Sequence, residues 1–130
     1  MNLCVLKGNL AREPEIKVLD LGGKKVCVAN FVIAVNRFFK KANGESDKDT
    51  TFIACEAWDS GAETIGKYFT KGSPILLEGS IKVENWEKDG QKMSRTKVRV
   101  SNFEKLYRAP ATDKVTEPDI AQVSPDEHFG

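Results

Sequence analysis

The chain has 130 residues and a mass of 14.4 kDa, a size for one domain with room for a tail. It is 40% hydrophobic and 30% charged, enough to build a core, and no run of 18 apolar residues occurs, so no membrane-spanning helix is predicted. The net charge of +1 divides unevenly: 19 of the 20 Lys and Arg and 14 of the 19 Asp and Glu lie in residues 1–108, which leaves that body at +5 and residues 109–130 at −4. A mildly basic body with an acidic tail suits a nucleic-acid binder that also carries a protein-facing segment.

The first residues, "MNLCVLKGNL", lack the basic-then-apolar pattern of a signal peptide. The mature chain is expected to begin at Met1 and to stay in the cytoplasm, beside the nucleoid. Cys4, Cys27 and Cys55 are odd in number and far apart, no Cys-x-x-Cys occurs, and the single histidine, His128, stands almost at the end. A disulfide framework, a metal site and a cofactor are therefore not expected; three small thiols in a reducing compartment fit better.

In chain order, "NLCVLKGNL" is apolar and extended, and "LGGKK" (21–25) is a hairpin turn. "VCVANFVIAV" (26–35) is β-branched and aromatic, a strand. "KKANGESDKD" (40–49) is a polar loop at a hairpin tip, and "TTFIACEAW" (50–58) alternates as the next strand. "SGAETIGKYF" (60–69) predicts a helix, with Ser60 and Glu63 as a capping box and Ile65, Tyr68 and Phe69 at helical spacing. "KGSP" closes it, Gly72 in a left-handed cap and Pro74 unable to continue. "PILLEGSIKVENW" (74–86) is a long strand that bends at Gly79, "EKDGQ" (87–91) is a turn, and "RTKVRV" (95–100) is the last strand.

Three strands, a short helix and two strands define the fold class: all-β with one short helix, a five-stranded antiparallel OB-fold barrel with extended hairpins. The predicted domain is 1–108. Residues 109–130 hold three prolines, five acids and one aromatic, too little apolar surface to offset ordering, and are expected to form a disordered acidic C-terminal tail with a reach of roughly 25 Å.

Strand parity sorts the side chains. In 51–58, Ile53, Cys55 and Ala57 are expected to face the core, which leaves Phe52, Ala54, Glu56 and Trp58 on a wet face. In 75–86, Ile75, Leu77, Gly79, Ile81 and Val83 form the inward set, and Trp86 shares the other face with Glu78, Lys82 and Glu84. In 95–100, Thr96, Val98 and Val100 point inward, and Arg95, Lys97 and Arg99 form an outer row of cations. Large aromatics among cations are what single strands need: bases stack on rings whatever their identity, and cations follow the phosphates. An aromatic of outward parity also serves in subunit interfaces or under its own loop. Three of them on one outer surface favour nucleic acid.

Four stretches, "LKGNLAREPEIK" (6–17), "ANFVIAVNRFFKK" (29–41), "KYFTKGSPILLEGSIKVENWEKDGQK" (67–92) and "TKVRV" (96–100), resemble the bacterial single-stranded DNA-binding proteins. The similarity runs in order from about Asn2 to Tyr107, and the Lys-Gly-Ser-x-x-x-x-Glu-Gly block at 71–79 with a Trp before a Gly-bearing turn is its most specific part. The resemblance implies base stacking at Phe39, Phe52, Trp58 and Trp86. Parity agrees for three of these, whereas Phe39 shares odd numbering with Phe31, Ile33 and Val35, and Phe38 competes with it. The resemblance also implies phosphate contacts from Lys40, Lys41, Lys71 and Lys82, and a homotetramer paired through the N-terminal strands.

Departures stand beside the likeness. Glu84 and Asn85 replace basic residues common before the Trp, and two platforms are Phe, which points to weaker DNA affinity. Family tails end in an acidic run and Ile-Pro-Phe; here Asp126, Glu127 and Phe129 are the matching tail residues for recruiting replication and repair proteins, and Gly130 follows them. The expected function is sequence-independent coating of single-stranded DNA in replication, recombination and repair, with no enzyme activity. The rivals are an OB-fold protein-interaction module of the primosomal type and an RNA-binding OB domain of the cold-shock class, whose short aromatic motifs are missing here.

Overall fold

A computed structural model describes residues 1–107. The expected tail, with Asp126, Glu127 and Phe129, lies outside the described residues. Six strands and one helix follow in order: β1 Cys4–Leu10, β2 Glu15–Leu21, β3 Lys24–Lys40, β4 Ser46–Trp58, α1 Ser60–Tyr68, β5 Pro74–Lys88 and β6 Gln91–Lys105. The sheet runs β1-β5-β6-β4-β3-β2, and β1 also pairs with β3 at Asn9↔Ala34 and Leu10↔Ile33. That second pairing joins the sheet's sides, so five strands, β1, β5, β6, β4 and β3, form the closed barrel. β2 is the extra strand; it continues β1 after a break at 11–14 and pairs only along β3. All ladders are antiparallel except β4 with β6, which run parallel through Cys55↔Val98 and Glu56↔Arg99. The wholly antiparallel barrel expected above is corrected at this one seam, because closure brings together strands that the helix separates.

The core is built where parity placed it. Phe31 and Ile33 of β3, Cys55 and Ala57 of β4, Ile75 and Leu77 of β5 and Val98 of β6 are buried with Leu10. The helix closes one end of the barrel with Ala62, Ile65 and Phe69, and Phe69 meets Phe103 edge to face at 5.7 Å between ring centroids. Of the three residues at helical spacing, Ile65 and Phe69 are buried and Tyr68 is exposed, and Ala62 also lies inward. The capping box does not form: Asp59 is the N-cap residue at φ 55, with no side-chain cap bond. The helix ends in extended backbone at Phe69, and Gly72, at φ 90, serves the following turn in which the Ser73 N–H donates to the Thr70 carbonyl at 3.0 Å.

Two hairpins outrun the barrel. The β3–β4 ladder extends without a break from Val28↔Trp58 to Lys40↔Ser46, so the loop expected over 40–49 shrinks to 41–45. The β5–β6 ladder extends to Lys88↔Gln91 and turns at Asp89 (φ 51) and Gly90 (φ 79), the paired positive angles of a type I′ turn. Between them and the barrel, β5 shifts register at Glu78/Gly79. A Cβ on Gly79 would lie 2.2 Å from the Arg99 carbonyl oxygen, so the two backbones come this close only without a side chain. Past that bulge Val98, across from Ile81, is the last residue of the hairpin to reach the core. Ile81, Val83 and Thr96, expected inward, are exposed.

Candidate nucleic-acid interface

The outer surface of β4, β5 and β6 carries the candidate residues. Register puts Phe52 across from Ala34 and Trp58 across from Val28, on the same face of the ribbon as Glu56. It puts Trp86 across from Met93, Glu84 across from Arg95, and Lys82 across from Lys97. Glu56 and Arg99 meet at the parallel seam, which merges the two faces into one surface. Phe52 is 65% exposed and Trp86 43%, and Trp58 is half-buried. Phe52, Trp58 and Trp86 thus stand on the solvent side as parity required. Phe52 and Trp58 lie six residues apart on β4, roughly 20 Å at about 3.3 Å per residue, and Trp86 stands on β5.

The cation row behaves differently from its expectation. Arg95 is exposed, but Lys97 is only 8% exposed, and Glu56, expected on the wet face, is only 2% exposed. Lys97 Nζ lies 2.6 Å from Glu56 Oε1 and 2.9 Å from Glu84 Oε2. The other Glu56 oxygen accepts a hydrogen bond from the Trp58 indole Nε1–H at 3.0 Å and faces Arg99 Nε at 3.7 Å. The Arg99 guanidinium lies over the Trp58 ring, 4.8 Å from its centroid. Glu56 and Lys97, costly to bury singly, are buried together, and the more exposed Glu84 and Arg99 flank them. Lys97, a predicted phosphate contact, therefore has its charge taken up by two carboxylates and serves the surface from below.

The titration of the pair reflects this. Burial pushes the Glu56 carboxyl up, yet hydrogen bonds from Lys97 and the Trp58 indole, with the charges of Lys97 and Lys82, outweigh it and hold the group below its ordinary value. Burial likewise pushes the Lys97 ammonium down, and hydrogen bonds and charge from Glu56 and Glu84 hold it above its ordinary value.

The remaining predicted residues are spread. Lys82 is half-buried on the Trp86 face, and Lys40 is exposed at the β3–β4 tip. Lys41 is exposed and paired with Asp47 at 3.4 Å. Lys71 sits in the turn before β5, where its backbone N–H donates to Glu13 Oε2 at 3.0 Å, away from the hairpins. Phe39 is half-buried on the face of β3 opposite to that of Phe52, with the Arg37 guanidinium 5.0 Å from its ring centroid. Phe38 shares the Phe52 face. A groove beside β4 is lined in part by Arg12, Glu15, Lys17, Asn30, Ala54 and Arg95, with Lys17 paired to Glu15 at 3.9 Å. Arg12 escaped the sequence reading because it lies in the irregular break at 11–14, and Lys17 because its strand, β2, is not among those predicted.

Among the described residues no cluster of His, Cys, Asp and Glu suits a metal ion, and no helix is long and apolar enough to cross a membrane. The three cysteines are unpaired, and burial, with a smaller contribution from Cys4, pushes the Cys55 thiol up to about 12, a protonated and inert group.

A closed five-stranded barrel with a helix at one end, bearing aromatics and cations on the outside of its long strands, defines an OB-fold nucleic-acid binder. Residues 1–106 match the model of the Single-strand binding protein family, and the chain belongs to that family. It is 36% identical over 117 residues to the single-stranded DNA-binding protein of Fusobacterium nucleatum subsp. nucleatum, covering 90% of this chain and 73% of that one. It is 39% identical over 123 residues to single-stranded DNA-binding protein 1 of Lactococcus lactis subsp. lactis, covering 94% and 79%. Against the Lactiplantibacillus plantarum single-stranded DNA-binding protein, the chain spans only 51% of the relative's length. The fold is similar to that of the Plasmodium falciparum SSB in complex with ssDNA, with a TM-score of 0.70 and 28% identity over 82% of this chain and 96% of that one.

Proposed function

We propose that the protein binds single-stranded DNA without regard to sequence and protects it during replication, recombination and repair. The observation that carries this is the single outer surface on which Phe52, Trp58 and Trp86 stand exposed or half-exposed among Lys82, Arg95 and Arg99. Bases would stack on the rings, and the cations would follow the phosphates. Phe39 joins the site if the strand passes around the edge of the β3–β4 hairpin, and Lys40, Lys41 and Lys71 would extend the cationic path. Lys97 supports the surface through Glu56 and Glu84. Holding bases unstacked favours the single strand by mass action, so no bond-making chemistry is called for and the protein acts without being an enzyme. Its unpaired thiols fit a reducing cytoplasm.

Self-association belongs to the same reading. Over residues 4–8, β1 pairs with β5 on one edge and has no partner strand on the other among the described residues. Leu3 and Val5 are exposed beside it. Such an edge supports pairing with a second copy, and a homotetramer would follow from two pairings of pairs. Residues 1–108 would be the binding domain, and 109–130, with Asp126, Glu127 and Phe129, the segment that recruits replication and repair proteins.

The test is titration with oligo(dT), followed by tryptophan fluorescence, with duplex DNA and RNA as competitors. Strong quenching that duplex does not relieve is expected. Absence of quenching at low salt, or equal affinity for duplex, overturns the proposal.

A further inference from the structure

The β3–β4 hairpin has two faces of unlike chemistry, and the ladder assigns every residue to one of them. On the odd face the cations sit in exposed ion pairs. Arg37 pairs with Asp49 at 3.6 Å, Lys41 pairs with Asp47 at 3.4 Å, and Phe39 lies half-buried under the Arg37 guanidinium. The even face is the reverse. Phe38 is 72% exposed, more than Phe52 at 65% or Trp86 at 43%. It stands directly across from Lys48 and two residues from Lys40. Both lysines are exposed, and neither has an ion pair among the described residues. Further along the same face, past a hydrogen-bonded Thr50–Asn36 pair at 2.7 Å, comes Phe52.

We infer that Phe38 is an additional base-stacking platform and Lys48 its phosphate contact, so that the single strand runs along the even face of this hairpin from Phe52 to its tip. This rests on the single-strand reading above and extends its site. The spacing fits. Phe38 lies four residues along β3 from Ala34, the position across from Phe52, roughly 13 Å at about 3.3 Å per residue. That leaves room for a base between the two rings, with the Asn36 and Thr50 side chains beneath it. An uncovered ring next to unneutralised cations also binds at less cost than a covered one: to use Phe39, the strand must first displace Arg37.

The experiment uses the full chain and oligo(dT). Phe38→Ala is expected to weaken binding about five- to a hundredfold, the range for one stacked base. The melting temperature should not move, because the ring is exposed. Lys48→Gln should lower the slope of log K against log salt by about 0.7, one phosphate contact on a single strand. A Phe38→Trp substitution on a Trp58→Phe, Trp86→Phe background should give emission that oligo(dT) quenches. If the unmodified protein binds but Phe38→Ala stays within twofold of it, or the new indole is not quenched at saturation, the inference is overturned while the single-strand reading stands. If the unmodified protein does not bind, both fall together.

Discussion

The ammonium of Lys97 lies 2.6 Å from the carboxylate of Glu56, and both are nearly excluded from solvent on what is otherwise the outer face of the barrel. The pair joins β6 to β4 across the parallel seam, and Glu84 of β5 completes it. The same Glu56 carboxylate holds the indole of Trp58. An ionic cluster thus fixes the orientation of the Trp58 indole.

Glu56→Ala should lower stability by about 3 kcal/mol, at the lower end of the cost of breaking a buried pair, since Glu84 still partners Lys97. Urea unfolding at fixed protein concentration measures it. A loss below about 1 kcal/mol would mean that the cluster is solvated and does not fix Trp58.

The pH dependence follows from the two shifts. Glu56 is held below its ordinary 4.5, so its contribution is full above that value and is lost as pH falls through the lower folded value. Lys97 is held above its ordinary 10.5, so its contribution is full below that value and is lost as pH rises through the higher folded value. Stability from this pair should be level from about pH 5 to 10. Glu56→Gln should flatten the acid limb of a melting-temperature profile; an unchanged acid limb would assign it to other carboxylates.

Trp86→Ala should weaken single-strand binding by about 1–3 kcal/mol and leave the fold intact, because the indole projects from a hairpin beyond the core. Fluorescence titration through Trp58, together with a thermal melt, separates the outcomes. A large drop in melting temperature would show that Trp86 is structural.

Deletion of residues 109–130 should leave or raise DNA affinity, since it removes a net charge of −4. The effect should shrink with added salt. A fall in affinity would place the tail within the DNA site.

Parity along β4 and β5 was enough to put Phe52, Trp58 and Trp86 on the outside and Cys55, Ala57, Ile75 and Leu77 on the inside, because alternation in a strand is a local rule. The turns at Gly22–Gly23 and Asp89–Gly90, and the short helix, are equally local. Parity failed where the answer depends on what lies across the sheet. Ile81 and Val83 have inward numbering, but the hairpin leaves the barrel there and they are 43% and 53% exposed. Glu56 has outward numbering but is buried, because β6 brings Lys97 against it from 41 residues away in the chain. That Phe38 has a lysine across from it likewise could not be read from β3 alone; it turns on the β4 register, which sets Lys48 opposite Phe38, while Arg37 lies over Phe39. The sequence by itself thus determined the barrel, its aromatic outer surface and its family. Tertiary structure alone decided which of the outer charges remain free for phosphate, because neutralisation depends on pairings between strands distant in the chain.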